Sequence, residues 1–236
     1  MMRHPIHILL GLVALASLGL VSPVSLRAWA WRASSLQPLP LPAGLRTVPP
    51  QLRADLNLDG LPEDLQLEGD RLSIISDGQV RWSSPAGWQV RQAQVADLNH
   101  DTVPEAVLLV WRAFRAWPVD AWLPSGGRIS AFHDSRGLSA QIILIGWKDP
   151  SFGELWAGSA LAQPVVSFDV AALSGKGDLL LTLEGKYDAP PSALARSFKL
   201  WEWNGFGFGI VSALDGPFRE MAVAQAGDLP VLVLVP

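Results

Sequence analysis

Two stretches of this chain repeat one another, and that repeat limits the possible fold more than any other feature. Arg53-Ala54-Asp55-Leu56-Asn57-Leu58-Asp59-Gly60-Leu61-Pro62-Glu63-Asp64-Leu65 recurs as Gln94-Val95-Ala96-Asp97-Leu98-Asn99-His100-Asp101-Thr102-Val103-Pro104-Glu105-Ala106-Val107, with Asp97 standing 42 residues after Asp55. Counted from the first Asp, oxygen-bearing side chains occupy positions 1, 3, 5 and 9 of both copies. Alternate residues of a tight loop point inward, and a hard cation such as Ca²⁺ takes about six to eight oxygens at roughly 2.3–2.6 Å. The candidate ligands are therefore Asp55, Asn57, Asp59, Glu63 and the Leu61 carbonyl in the first loop. In the second they are Asp97, Asn99, Asp101, Glu105 and the Val103 carbonyl.

Position 12 distinguishes the loop families that open this way. An EF-hand closes with an acidic residue there and runs into a helix. Here position 12 is Gln66 or Leu108, and the following segments, such as Ala106-Val107-Leu108-Leu109-Val110-Trp111, are β-prone. Each loop leads into a strand.

On these two loops the chain resembles the FG-GAP/VCBS repeats, the calcium-loop blades of integrin α-like propellers. The resemblance implies an exported, calcium-binding β-propeller that takes part in binding or assembly. It extends to two decayed copies, around Val166–Leu181 with Asp169 as the framing acid and around Met221–Leu232 with Asp228, both read as metal-free turns. Thr102 replaces the Gly that stands as Gly60 in the first loop, at a position suited to a sharp turn.

The intervening segments fit one four-stranded unit. Ser76-Asp77-Gly78-Gln79, Asp134-Ser135-Arg136-Gly137 and Trp203-Asn204-Gly205-Phe206 are tight-turn sequences, and Asp-Gly and Asn-Gly favour hairpins. Four antiparallel strands per unit is a propeller blade. The expected fold is all-β, a small or incomplete propeller of about four blades over residues 52–236, with an insertion at about 112–128. Only one strand follows Asp228, so the last unit lacks its outer hairpin. Either a small irregular ring closes or an arc stays open with exposed edge strands, which would favour a partner chain or self-association.

Ahead of this domain, the apolar run Ile8–Val21 follows Arg3 and precedes Ala28-Trp29-Ala30, which supplies small residues for a peptidase cut after Ala30. Residues 1–30 therefore read as a signal peptide or an uncleaved N-terminal anchor, and the Pro-rich stretch 31–51 as a linker. The location implied is secreted or cell-envelope, with membrane contact only through an uncleaved segment. Residues 1–30 hold two arginines and no acid, so their removal would shift the formal charge from −4 to −6. That balance disfavours nucleic-acid binding. There is no cysteine, so packing must hold the fold, with bound ions as a candidate second contribution.

Of the 11 Trp, those at 82, 111, 147, 201 and 203 lie in or beside strand-like segments and suit the space between blades. Trp117 and Trp122 differ, since with Arg115 they sit in an apolar insertion without strand period, and they are candidate contacts for a protein partner. The alternative is a carbohydrate-binding or carbohydrate-active propeller that stacks sugar on Trp117 or Trp122. Outside the first thirty residues the histidines are His100, in a cation loop, and His133, in a strand-like segment. Neither lies in a nucleophile or zinc motif, so a non-catalytic role is expected.

Overall fold

The computed structural model describes residues 26–32, 34–115, 132–173, 177–190 and 192–236. The described chain opens with β1 (Arg27–Arg32), β2 (Ser35–Leu39) and β3 (Arg46–Thr47). Blade 1 follows as β4 (Arg53–Ala54), β5 (Glu63–Glu68), β6 (Arg71–Ser76) and β7 (Gln79–Ser83). Blade 2 is β8 (Gln89–Ala96), β9 (Glu105–Ala113), β10 (Leu138–Lys148) and β11 (Ser151–Ala157). Blade 3 is β12 (Val165–Ala171), β13 (Leu179–Glu184), β14 (Ala195–Trp203) and β15 (Phe208–Phe218). The last strands are β16 (Glu220–Ala226) and β17 (Leu229–Val235). Four antiparallel sheets stand in a ring as a four-bladed β-propeller.

The fourth blade is built from both ends of the described chain, in the order β2-β1-β17-β16-β3. Strand β1 pairs with β17 through Arg27↔Leu234, Ala28↔Val233 and Trp29↔Leu232, and β2 then covers β1. The chain itself therefore supplies the outer strands that the sequence lacks after Asp228, and the ring closes. An open arc is not the architecture found.

Two expected boundaries fall with that closure. A cut after Ala30 would lie inside β1, where Ala28, Trp29 and Ala30 are all buried. Residues 31–51 are not a free linker either. Leu39 and Leu45 pack against Ala28, Ala224, Val231 and Val233. Farther on, the Val48 N–H donates to the Val223 carbonyl, and the carbonyls of Gln51 and Leu52 accept from Val95 and Leu65. The stretch thus runs from blade 4 past blade 2 into blade 1. Its prolines fit this path, because Pro38 lies in the outermost strand, where a missing donor leaves no ladder bond unmade.

Strands β9 and β10 are buried on both faces, which explains their nearly continuous apolar runs. Leu108, Val110, Ile143 and Ile145 pack toward blade 1 with Leu65, Leu72 and Ile74. Val107, Leu109, Ile142 and Leu144 pack toward blade 3 with Phe168 and Leu180. The tryptophans at 82 and 147 flank the first of these clusters, and those at 111, 201 and 203 flank the second, as expected of inter-blade filling.

Near the axis, polar side chains stitch the inner strands. Gln92 donates to the Phe168 carbonyl at 2.5 Å and accepts from the Phe168 N–H at 3.0 Å, imitating one rung of a ladder between blades 2 and 3. Asp169 accepts from Gln94 of blade 2 and from the Val223 N–H of blade 4. Asp169 thus lies within β12 and serves as a three-blade junction rather than as the opening acid of a third loop. Asp228 sits in the short β16–β17 turn beside Gly227, which has φ +64°.

Two turns lie where expected. Asp77 and Gly78 both take positive φ between β6 and β7, and Asn204 and Gly205 join β14 to β15. The third, Asp134–Gly137, is not a hairpin between outer strands. It stands just ahead of β10 at the end of the β9–β10 connection, and residues 116–131, which hold most of the expected insertion at about 112–128, lie outside the described residues. His133 belongs to the same connection, not to a strand, with its ring 5.4 Å from that of Phe114.

Candidate functional site

The two repeated loops are the β4–β5 and β8–β9 connections, and they emerge at one end of the ring, here called the loop face. Their internal geometry is duplicated bond for bond. Asp55 accepts from the N–H groups of Asp59 (3.1 Å) and Gly60 (2.8 Å), and Asp97 accepts from those of Asp101 (3.1 Å) and Thr102 (3.0 Å). Asn57 accepts from Asp59 N–H and donates to its carboxylate, as Asn99 does with Asp101. Asp59 and Asp101 then accept from the N–H of Leu61 and of Val103. Two residues in each loop take a left-handed conformation, Leu58 and His100 at φ 60° and 62°, and Gly60 and Thr102 at φ 88° and 75°.

The β-branched Thr102 is strained in that region, since residues held there cost about 1–3 kcal/mol. Replacing it should relieve the strain, less what glycine adds to the entropy of the unfolded chain. Thr102→Gly is expected to stabilise the protein by about 1 kcal/mol in urea unfolding. Unchanged or lower stability would show that the loop carries no strain there.

Each loop ends on a glutamate drawn into the protein. Glu63 is 0% exposed and Glu105 1%, both at the first position of a strand. One oxygen of each accepts from a loop N–H, Leu56 for Glu63 (2.8 Å) and Leu98 for Glu105 (3.2 Å). The other oxygen, Oε1, is buried without a partner in both loops. An unpartnered carboxylate oxygen out of water is costly unless a cation or proton satisfies it. In the second loop, carboxylate oxygens of Asp97, Asp101 and Glu105 lie within 4.8 Å of one another. Burial pushes the Glu105 carboxyl up to about 8; nearby Asp101 and Asp97 add to the rise, and the Leu98 N–H bond opposes it.

The second loop is also tied to blade 3. His100 Nε2–H donates to the Asp178 carbonyl at 2.9 Å, and the Asp178 carboxylate accepts from the Asp97 N–H at 3.2 Å. Burial raises the Asp178 carboxyl above the ordinary aspartate range. The corresponding position of the first loop, Leu58, is 64% exposed instead. A cleft of about 200 Å³ separates the loops, lined by Asn57, Leu58, Asp101, Glu105, Trp147 and Leu155 among others.

All ten candidate cation-binding residues thus stand in the two loops that the sequence predicts. Neither the burial of Glu63 and Glu105 nor the Asp178 contact is visible in local sequence. Arg115 is exposed just after β9, at the end of the ring opposite the loops. Trp117 and Trp122 lie outside the described residues. Arg112, which opens the expected insertion, is instead held in β9, 5.1 Å from the centre of the Trp88 ring and 3.6 Å from Glu154. In comparisons with known proteins, no family model, curated protein or solved structure matches this chain.

Proposed function

We propose that this is an exported, calcium-stabilised β-propeller module of the FG-GAP/VCBS kind, non-catalytic, that serves protein binding or assembly at the cell envelope. The observation that carries it is the pair of buried, unpartnered glutamate oxygens, each at the end of the same Asp-x-Asn-x-Asp loop. Each loop offers side-chain oxygens from four residues and one backbone carbonyl. This all-oxygen set suits Ca²⁺ and leaves room for water or a partner's oxygen. Leu58 and Leu61, 64% and 57% exposed on the first loop, add apolar contact area beside the cleft.

The N-terminal segment would direct export and remain as an anchor. No Asp, Glu, Lys or Arg stands between Arg3 and Arg27, and the peptidase-like Ala28-Trp29-Ala30 belongs to a buried strand.

The test is thermal unfolding in excess Ca²⁺ and in chelator across a pH series. A site held at 100 times its dissociation constant adds about 2.7 kcal/mol. Cation binding requires ionised Glu105, so it releases a proton below pH 8, and affinity should climb toward pH 8 and then level off. Without cation the sign is opposite. Because the folded carboxyl titrates higher than the unfolded one, its contribution is fully present below the ordinary value of 4.5 and is lost as pH rises through 8. Identical melting in chelator and Ca²⁺ at pH 8 would overturn the proposal.

A further inference from the structure

We propose that the end of the ring opposite the cation loops is a membrane-contact face, seated on the headgroups of an anionic bilayer. The inference rests on the anchoring reading above and adds an orientation to it. Strand direction is the first support. Arg27 pairs with Leu234, close to the end of β17, whereas the β16–β17 turn lies on the loop face. The N-terminal segment therefore meets the ring at the end away from both cation loops.

The length of the connection is the second. Only Ser22–Leu26 separate the apolar run ending at Val21 from Arg27. Five residues span at most about 18 Å even when fully extended. A strand the length of β14 is about 30 Å long, so the loop face lies well beyond that reach. A bilayer holding the apolar run must lie close to the opposite face, on the side of blade 4.

Charge is the third. Among the described residues, the connecting segments of the loop face carry eight aspartates and no lysine or arginine. Two bound divalent cations would still leave that face negative. Among the described residues, the connecting segments at the opposite end carry Arg115, Arg136, Lys186 and Arg219 against three aspartates, of which Asp134 is paired with Arg136. An anionic headgroup layer repels the first face and tolerates or attracts the second. Leu194, 36% exposed in the same β13–β14 connection as Lys186, adds an apolar contact at that end.

The absence of cysteine makes the test direct. Ser192→Cys, before β14, and Phe206→Cys, after it, place single thiols at opposite ends of one blade. Each full-length variant is coupled to a fluorophore and reconstituted into vesicles of phosphatidylcholine and phosphatidylglycerol containing a headgroup spin-labelled lipid. Ala193→Cys serves as a second position should Ser192→Cys melt below the parent. Strong quenching at position 192 or 193 with little at 206 is expected. Equal quenching at both ends, with the intact chain in the vesicles, overturns the orientation and leaves the anchoring reading standing. Recovery of a shortened, soluble chain after expression in a bacterial host overturns the anchoring reading and the orientation with it. In phosphatidylcholine alone the quenching at 192 should fall; no change overturns the electrostatic part.

Discussion

A chain shortened to begin at Trp31 is expected to lose its fourth blade and with it the closed ring. The truncation removes four of the six residues of β1, including every residue registered against β17. It leaves one side of β17 unpaired and takes Trp29 from the core where it packs with Leu232, Leu234, Leu200 and Val223. Trp29→Ala alone, which keeps the strand, should cost about 3–5 kcal/mol. That is a large share of the 5–15 kcal/mol typical of a domain, and roughly 6–20 °C in melting temperature for a chain of this size. The truncated chain should fall further and expose β17 as an edge prone to pair with other chains. The comparison is made between chains beginning at Leu26 and at Trp31, by thermal unfolding and by size in solution. Equal melting temperatures and sizes would show that β1 is dispensable and return the start of the domain to the region near Leu52.

The contrast between the loops and the closure shows what local sequence can convey. Each repeated loop is written in about nine consecutive residues, because its turn and its internal hydrogen bonds are set by spacing alone, and Asp55–Glu63 and Asp97–Glu105 have the duplicated geometry their spacing implies. Asp77-Gly78 and Asn204-Gly205 are equally local, since Asp77, Gly78 and Gly205 take the positive φ those turns need and Asn204 accepts from the Phe206 and Gly207 N–H groups. The fourth blade is not local. Residues 27–47 have the composition of a leader end and a spacer, and their role is set by the outer edges of the β16–β17 pair nearly two hundred residues later. Asp169 is set non-locally too. Its partners Gln94 and Val223 come from neighbouring blades, so an acid in a repeat-like frame turned out to join blades instead of opening a loop. The repeat and its turns pointed to four-stranded blades, about four of them, while the closure of the ring and the junctions between blades needed three dimensions.

Glu63→Gln combined with Glu105→Gln should reverse the response to calcium. A glutamine keeps an acceptor for the Leu56 or Leu98 N–H, so the loop turns survive. It removes a buried, unpartnered carboxylate oxygen from each site, and at Glu105 it removes a group that burial has already pushed up to about 8. In chelator at pH 8, where Glu105 is losing the proton that keeps it neutral, the double variant should be as stable as the parent or more so, because no buried charge is left unpaired. In excess Ca²⁺ the order should invert. The parent gains about 2.7 kcal/mol from each site at 100 times its dissociation constant, about 5 kcal/mol for two. At roughly 2–4 °C per kcal/mol this is a rise of about 10–20 °C that the variant should largely lack. The crossing of the two melting curves separates a cation site from a purely structural glutamate. If the glutamates only terminate the loops, the variant should melt below the parent by the same amount in both media, and calcium should move neither.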